Sequence, residues 1–355
     1  MSFWSRDYVA AVASFHLALE RLEGSGFEVS HRRLLIDQSG PQEEKLAIDV
    51  ALIGPQHASR WLMISSGVHG VEGFAGSAIQ LSILAQLQTL PDDTALALIH
   101  IVNPYGMAWL RRVNESNVDL NRNMLLPGEE YSGEPDGYAA LSPLINEQVE
   151  PKNKDGFLRR AMLFVAKNGF ANTKQAFAEG QYERPQCLQY GGSELEVGSA
   201  LLLEWLGDNL RTVKRCVWID LHTGLGKAGI DTLLVEFAHN DPISSRLRAH
   251  YGKRITSLDP KAGIAFKIRG GMQVGVEARH VPSNSRIDGE ETGRHADESS
   301  RSYIGGVRGD GRLPLCLCQR RCRARNVLSR GPRGRTSREL APCWQIGDAW
   351  VVSRI

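Results

Sequence analysis

Four short apolar runs limit what this chain can fold into. "KLAIDVALIG", "RWLMISSG", "ALALIHIV" and "RCVWIDLHTGLG" are rich in aliphatic residues, and each is bounded by Gly, Pro, Ser or Asn. Their length and punctuation fit buried strands rather than helices. Apolar residues recur at helical spacing in "SRDYVAAVASFHLALERLE", and "GSAIQLSILAQLQTL" and "ALLLEWLGDNLRTV" read as further helices. Strand, loop, helix and strand in turn predict an α/β sheet with helices on its faces. Ligands of such sheets gather beyond the carboxyl ends of the strands. Two of the four runs lead directly into a histidine: "RWLMISSGVHG" reaches His69, and "WIDLH" reaches His222.

The chain has 355 residues, 42% of them hydrophobic, enough for one large core. Residues 126–195 read as an excursion from the sheet. They contain the Pro/Gly/Glu-rich "LPGEEYSGEPDGYAALSP", two helices across "FLRRAMLFVAKNG" and "NTKQAFAEG", and the Gly-rich "GQYERPQCLQYGG". No apolar run reaches membrane-spanning length, and the start has no basic segment followed by an apolar one, so a cytoplasmic location is expected. A formal net charge of +2 argues neither for nucleic acid nor for a membrane surface as partner.

After His280 the character of the chain changes. Residues 281–355 hold fourteen arginines and no lysine, with four of the six cysteines, and "LCLCQRRCRARNVLSRGPRGRTSREL" has neither strand nor helix periodicity. An irregular tail is expected there, set apart from a domain at 1–280. A degenerate or frame-shifted stretch is the first reading. A basic interaction tail is the second, and a small metal module is disfavoured because the cysteine spacing matches no standard zinc site.

His69 and Glu72 stand three apart in "SSGVHGVEGFAGS". Alone the pair means little: "HADE", His295 to Glu298, has the same spacing inside the irregular tail. His222 changes its weight. Two imidazoles and a carboxylate are good zinc ligands, and hydrolytic zinc sites commonly leave a fourth position to water. A third segment, "NPYGMAWLRRVNESNVDLNRN", supplies Arg111, Arg112 and Arg122 with Asn114, Asn117, Asn121 and Asn123 behind a strand. So many polar groups suit a polar cleft, where guanidinium groups bind carboxylates and asparagines fix orientation. Asp119 is placed to take the second N–H of a metal-bound histidine.

Together "GVHGVEG", "NPYGMAWLRRVNESNVDLNRN" and "DLHTG" resemble the zinc carboxypeptidase superfamily, most closely a bacterial branch described as a domain of unknown function. The resemblance runs from about residue 5 to about residue 280 and includes "GQYERPQCLQYGG". It implies a single three-layer α/β/α domain with a mixed, mostly parallel sheet. It implies Zn2+ on His69, Glu72 and His222, with Asn121 and Arg122 gripping a substrate carboxylate and Asp119 behind the first histidine. One of Arg111 and Arg112 would polarise the scissile carbonyl; the spacing does not say which. The implied activity is hydrolysis of an amide adjacent to a carboxylate, in a peptide or an N-acyl amino acid.

The resemblance fails at one point. In the family a glutamate on a late strand, in a Glu-Phe-Gly-Thr context, takes the proton of the attacking water, and that position falls in "RIDGEETGRHADESS". Glu291 is the nearest match there, with Glu236 and Glu277 as weaker alternatives. A zinc-binding but catalytically impaired protein is therefore the competing expectation.

Overall fold

In a computed structural model, the structure describes residues 3–147, 156–224, 231–235, 242–257, 268–280 and the strand at 348–354. Helices α1 (Tyr8–Gly24), α2 (Gly73–Gln86) and α3 (Pro104–Ala108) alternate with strands β1 (Val29–Ser39), β2 (Lys45–Ile53), β3 (Arg60–Ser66) and β4 (Thr94–His100). There follow α4 (Tyr138–Ile145), α5 (Phe157–Asn168), α6 (Phe170–Ala178), α7 (Val197–Asn209), β5 (Arg215–Thr223), β6 (Thr232–Val235), α8 (Pro242–Tyr251), β7 (Ile255–Ser257), α9 (Met272–His280) and β8 (Asp348–Arg354).

The eight strands form one sheet in the order β1-β2-β4-β3-β5-β8-β6-β7. Four of its seven pairings are parallel, so the sheet is mixed as expected. Alternation along the strands sends side chains to two faces. On one face Val50, Met63, Ala97 and Trp218 pack against Leu202 and Leu206 of α7 and Val276 of α9. On the other, Ala51, Ile64, Leu98 and Ile219 meet Phe15 and Leu19 of α1, Leu81 and Leu84 of α2, and Leu247 of α8. The result is the three-layer α/β/α arrangement.

Local chemistry explains the element ends. Asp7 opens α1 with its carboxylate accepting from Ala10 N at 2.8 Å, and Asn103 caps α3, with Pro104 in the first turn. Residues 126–195 contain α4, α5 and α6, the last two over the helices expected there. Strand β1 lacks an apolar run because it is a sheet edge: of its eleven residues only Leu34 and Ile36 are buried. Most of the expected tail, and Glu291 and Glu236 with it, lies outside the described residues. Within it, residues 348–354 form β8, seated between β5 and β6 with His222 opposite Ala349.

One polar group in this core reports on pH. His100, at the end of β4, is fully buried, stacked on Phe15 with ring centroids 4.3 Å apart, and its Nε2 lies 2.9 Å from Ser77 Oγ. Burial pushes its pKa down to about 3, so the folded protein keeps it neutral. The unfolded chain takes up this proton near the ordinary histidine pKa, so stability falls as pH drops from about 6.5 toward 3. His100→Gln is expected to flatten this limb of the stability profile, measured by urea unfolding at a series of pH values. Leu98→Ala is expected to cost roughly 2–5 kcal/mol at any pH in the same assay.

Candidate metal centre

The site grows out of the parallel pairing of β3 and β5, in which Ser65 stands opposite Asp220 and Ser66 opposite Leu221. Beyond β3 the chain turns at Gly67, whose φ of +70° is the left-handed conformation that glycine adopts freely. It then enters a short 3-10 turn over Gly70–Glu72. Backbone bonds hold this turn against the next loop: Gly70 N donates to Arg112 O at 3.1 Å and Val71 N to Arg111 O at 2.9 Å. A Cβ on Gly70 would run into the backbone of Gly106, so only glycine permits this approach.

The turn brings Glu72 between the two histidines. Glu72 Oε1 lies 3.1 Å from His69 Nδ1, Glu72 Oε2 lies 3.5 Å from His222 Nδ1, and the two imidazole centroids are 5.0 Å apart. Ligand atoms from His69, Glu72 and His222 all fall within 4.8 Å of one another. All three side chains are nearly enclosed, at 7%, 12% and 9% exposure. Thr223 N also donates to Glu72 Oε2 at 2.8 Å, fixing the carboxylate against the end of β5.

The donor set fits a zinc-type ion. Both histidines direct Nδ1 inward, and both have a buried carboxylate at the far nitrogen: Asp119 Oδ1 lies 3.3 Å from His69 Nε2, and Asp220 Oδ2 lies 2.6 Å from His222 Nε2. At His222 this carboxylate fixes the tautomer that leaves Nδ1 free to ligate, whereas His69 Nε2 also lies 2.7 Å from Arg112 Nη2, which can only donate to it. Asp220 is the residue of this candidate site that reading the sequence missed. The signal was present as "DLH", since residues two apart on a strand share a face. Asp220 is itself anchored in the core: Trp218 Nε1 donates to Ser65 Oγ at 2.7 Å, and Ser65 Oγ donates to Asp220 Oδ1 at 2.6 Å.

Electrostatics follow from this packing. Burial alone would raise the Glu72 carboxyl, but the charges and hydrogen bonds of His69 and His222 hold it well below the carboxylate range. Burial alone would lower His222, yet Asp220 and Glu72 push it up to about 10. Asp119 is likewise held far down, against its burial, by Arg112, His69 and Arg122.

The other expected site residues divide. Arg112 sits at the ligand group, with Nη1 3.7 Å from Glu72 Oε1, Nη2 2.7 Å from His69 Nε2, and Nη2 donating to Asp119 Oδ2 at 3.0 Å. Arg111 turns away and donates to Asn117 Oδ1 at 3.4 Å. Arg122 is buried, its guanidinium donating to Ala178 O at 2.6 Å and 3.1 Å and to Asn121 O at 2.8 Å. Asn121 Oδ1 accepts from Met272 N at 3.0 Å, at the start of α9. Asn114 and Asn123 tie the loop to the segment at 191–196 through Glu196, Gly191 and Glu194. Glu277 lies on α9.

Residues 3–288 match the family described as Protein of unknown function (DUF2817), and the chain belongs to that family. No curated protein matches it. Among solved structures, the chain is similar to a protein of Shewanella denitrificans OS217 provisionally described as a metallopeptidase. That match has 24% identity and a TM-score of 0.27, covering 46% of this chain and 49% of the other. Thrombin activatable fibrinolysis inhibitor matches at 13% identity and TM-score 0.42, with 78% and 64% covered. Carboxypeptidase A from Helicoverpa armigera matches at 11% identity and TM-score 0.46, with 77% and 61% covered. The chain thus spans between about half and just under two thirds of these structures.

Asp220→Asn is expected to weaken zinc binding at this ligand group by roughly 10–100-fold, because the amide no longer fixes the His222 tautomer. Competition against a chromogenic chelator measures the change.

Proposed function

We propose that this chain is a zinc-dependent hydrolase that cleaves an amide bond adjacent to a carboxylate, in a peptide or an N-acyl amino acid. The observation that carries the reading is the convergence of His69 Nδ1, Glu72 and His222 Nδ1, with a buried aspartate behind each histidine. Zinc, when bound, lowers the pKa of its water from roughly 15.7 to about 7 and polarises a carbonyl oxygen.

The chain's own groups supply the rest. His69, Glu72 and His222 provide three ligands from a rigid strand end and the turn beside it, so the constellation is fixed before substrate arrives. Arg112, whose side chain is 41% exposed, presents a guanidinium beside Glu72 and Asp119, where it would donate to the oxygen that gains charge as the amide is attacked. Arg111, whose guanidinium donates to Asn117 Oδ1, is the less suited of the two neighbouring arginines to that role. Asn121 and Arg122 are the residues to which the resemblance to zinc carboxypeptidases gives the grip on the substrate carboxylate. Here the bonds of Arg122 to Ala178 and of Asn121 to Met272 must loosen before either does so.

One observation favours a second reading, a zinc-binding protein impaired in catalysis. Among the described residues, the carboxylates in contact with the ligand histidines other than Glu72 are Asp119 and Asp220, and both are engaged in holding them. Neither is free to take a proton from water.

His69→Ala is expected to remove zinc and turnover together, followed by elemental analysis and a panel of peptides and N-acyl amino acids. An unchanged rate rejects the hydrolase. Arg112→Ala is expected to retain zinc and lose roughly 10²–10³-fold in kcat. Stoichiometric zinc in the unaltered chain, with no turnover of any substrate in the panel, supports the impaired reading.

A further inference from the structure

A second convergence of ligand groups lies on the other face of the sheet. Register pairs Arg33 of β1 with Asp49 of β2, and Asp49 with His100 of β4. His31 is two residues from Arg33 on the same face, and α1 lowers His16 onto them. His16 Nε2 and His31 Nε2 each lie 2.8 Å from a single oxygen, Asp49 Oδ1, and Arg33 Nε lies 3.3 Å from the same atom. The other oxygen, Asp49 Oδ2, is buried with no hydrogen-bond partner. His100 Nδ1, on the residue paired with Asp49, is also buried and unpartnered.

A buried carboxylate held only by ion pairs would share its donors between both oxygens, because an unmet buried acceptor is destabilising. Here three donors crowd one oxygen and the other has none. The two imidazoles have centroids 4.7 Å apart and planes at 60°, so they approach the carboxylate as two ligands of one centre do. Ligand atoms of His16, His31 and Asp49 fall within 4.8 Å of one another. Asp49 is wholly buried, whereas the His16 and His31 side chains are 30% and 26% exposed, which leaves an entry path and room for water.

We propose that His16, His31 and Asp49 form a second metal site, separate from the His69 group, that takes a divalent ion of the zinc class. Two imidazoles and one carboxylate suit such an ion, with water completing the shell. The ion joins three consecutive elements, α1, β1 and β2, and so acts as a staple at the open edge of the sheet. Arg33 places a positive charge beside the carboxylate, so this site binds more weakly than the His69 group.

Zinc chloride is titrated calorimetrically into metal-free full-length protein carrying His69→Ala and His222→Ala, with circular dichroism confirming the fold. One equivalent per chain is expected, with a rise in Tm, and both are expected to vanish when His31→Gln is added. Absence of zinc uptake by the folded double variant overturns the proposal, as does uptake indifferent to His31→Gln. If the double variant does not fold, the unaltered metal-free chain is titrated with cobalt(II) and read by its absorption. Two equivalents, one removed by His31→Gln alone, support the site. A single equivalent lost on His69→Ala and kept on His31→Gln overturns it. A single equivalent lost only on His31→Gln supports this site and counts against the His69 group.

Discussion

The parallel pairing of β3 and β5 is the constraint on which the rest of the structure depends. Because Ser65 lies opposite Asp220, a single hydroxyl can bridge the Trp218 indole and the Asp220 carboxylate, and Asp220 can in turn reach His222 on the same strand face. The same register ends both strands at one level, so the turn after β3 carries Glu72 across to Thr223. A slip of one residue would send His222 to the opposite face and break the whole chain of contacts.

Much of this was legible in the sequence. Buried strands β2, β3, β4 and β5 announce themselves because both of their faces meet helices, which leaves nearly continuous apolar runs. "GVHGVEG" and "DLHTG" were readable only together, because two histidines at the ends of buried strands, with a glutamate three residues from one, make a ligand set that neither segment offers alone. The asparagines of "NESNVDLNRN" were harder to read. Asn114 and Asn123 spend their amides on backbone and Glu196, work that looks the same in sequence as ligand binding. Arg122 is similar: its guanidinium is satisfied by carbonyls contributed from residue 178, far along the chain. Edge strand β1 was invisible because an edge needs little apolar surface, and its pairing with β2 comes from backbone groups that every residue carries.

The charge arrangement divides the labour at the ligand group. Glu72, Asp119 and Asp220 bring three carboxylates into a small, poorly solvated volume, and His69, His222 and Arg112 bring the compensating donors. Such a cluster is costly to bury and stable only when each member has a partner. Asp220 holds the His222 imidazole rigid and makes it electron-rich at the same time, while His69 shares its outer nitrogen between Asp119 and Arg112. The strained backbone nearby belongs to the same economy: Ile101, a β-branched residue, is held at φ of +67° while Val102 N bonds Ser66 O and Asn103 N bonds Gly67 O.

Strand β8 has a consequence for how the chain reaches this state. It comes after every other strand in the sequence yet sits inside the sheet, between β5 and β6. During synthesis, β5 with its Asp220 and His222 therefore waits for its second neighbour until residues 348–354 have emerged. At roughly 5–20 residues per second that wait is on the order of ten seconds, long compared with the folding of most small domains. For that interval, among the described strands, β3 alone flanks β5, so the strand that carries His222 lacks one of its two neighbours.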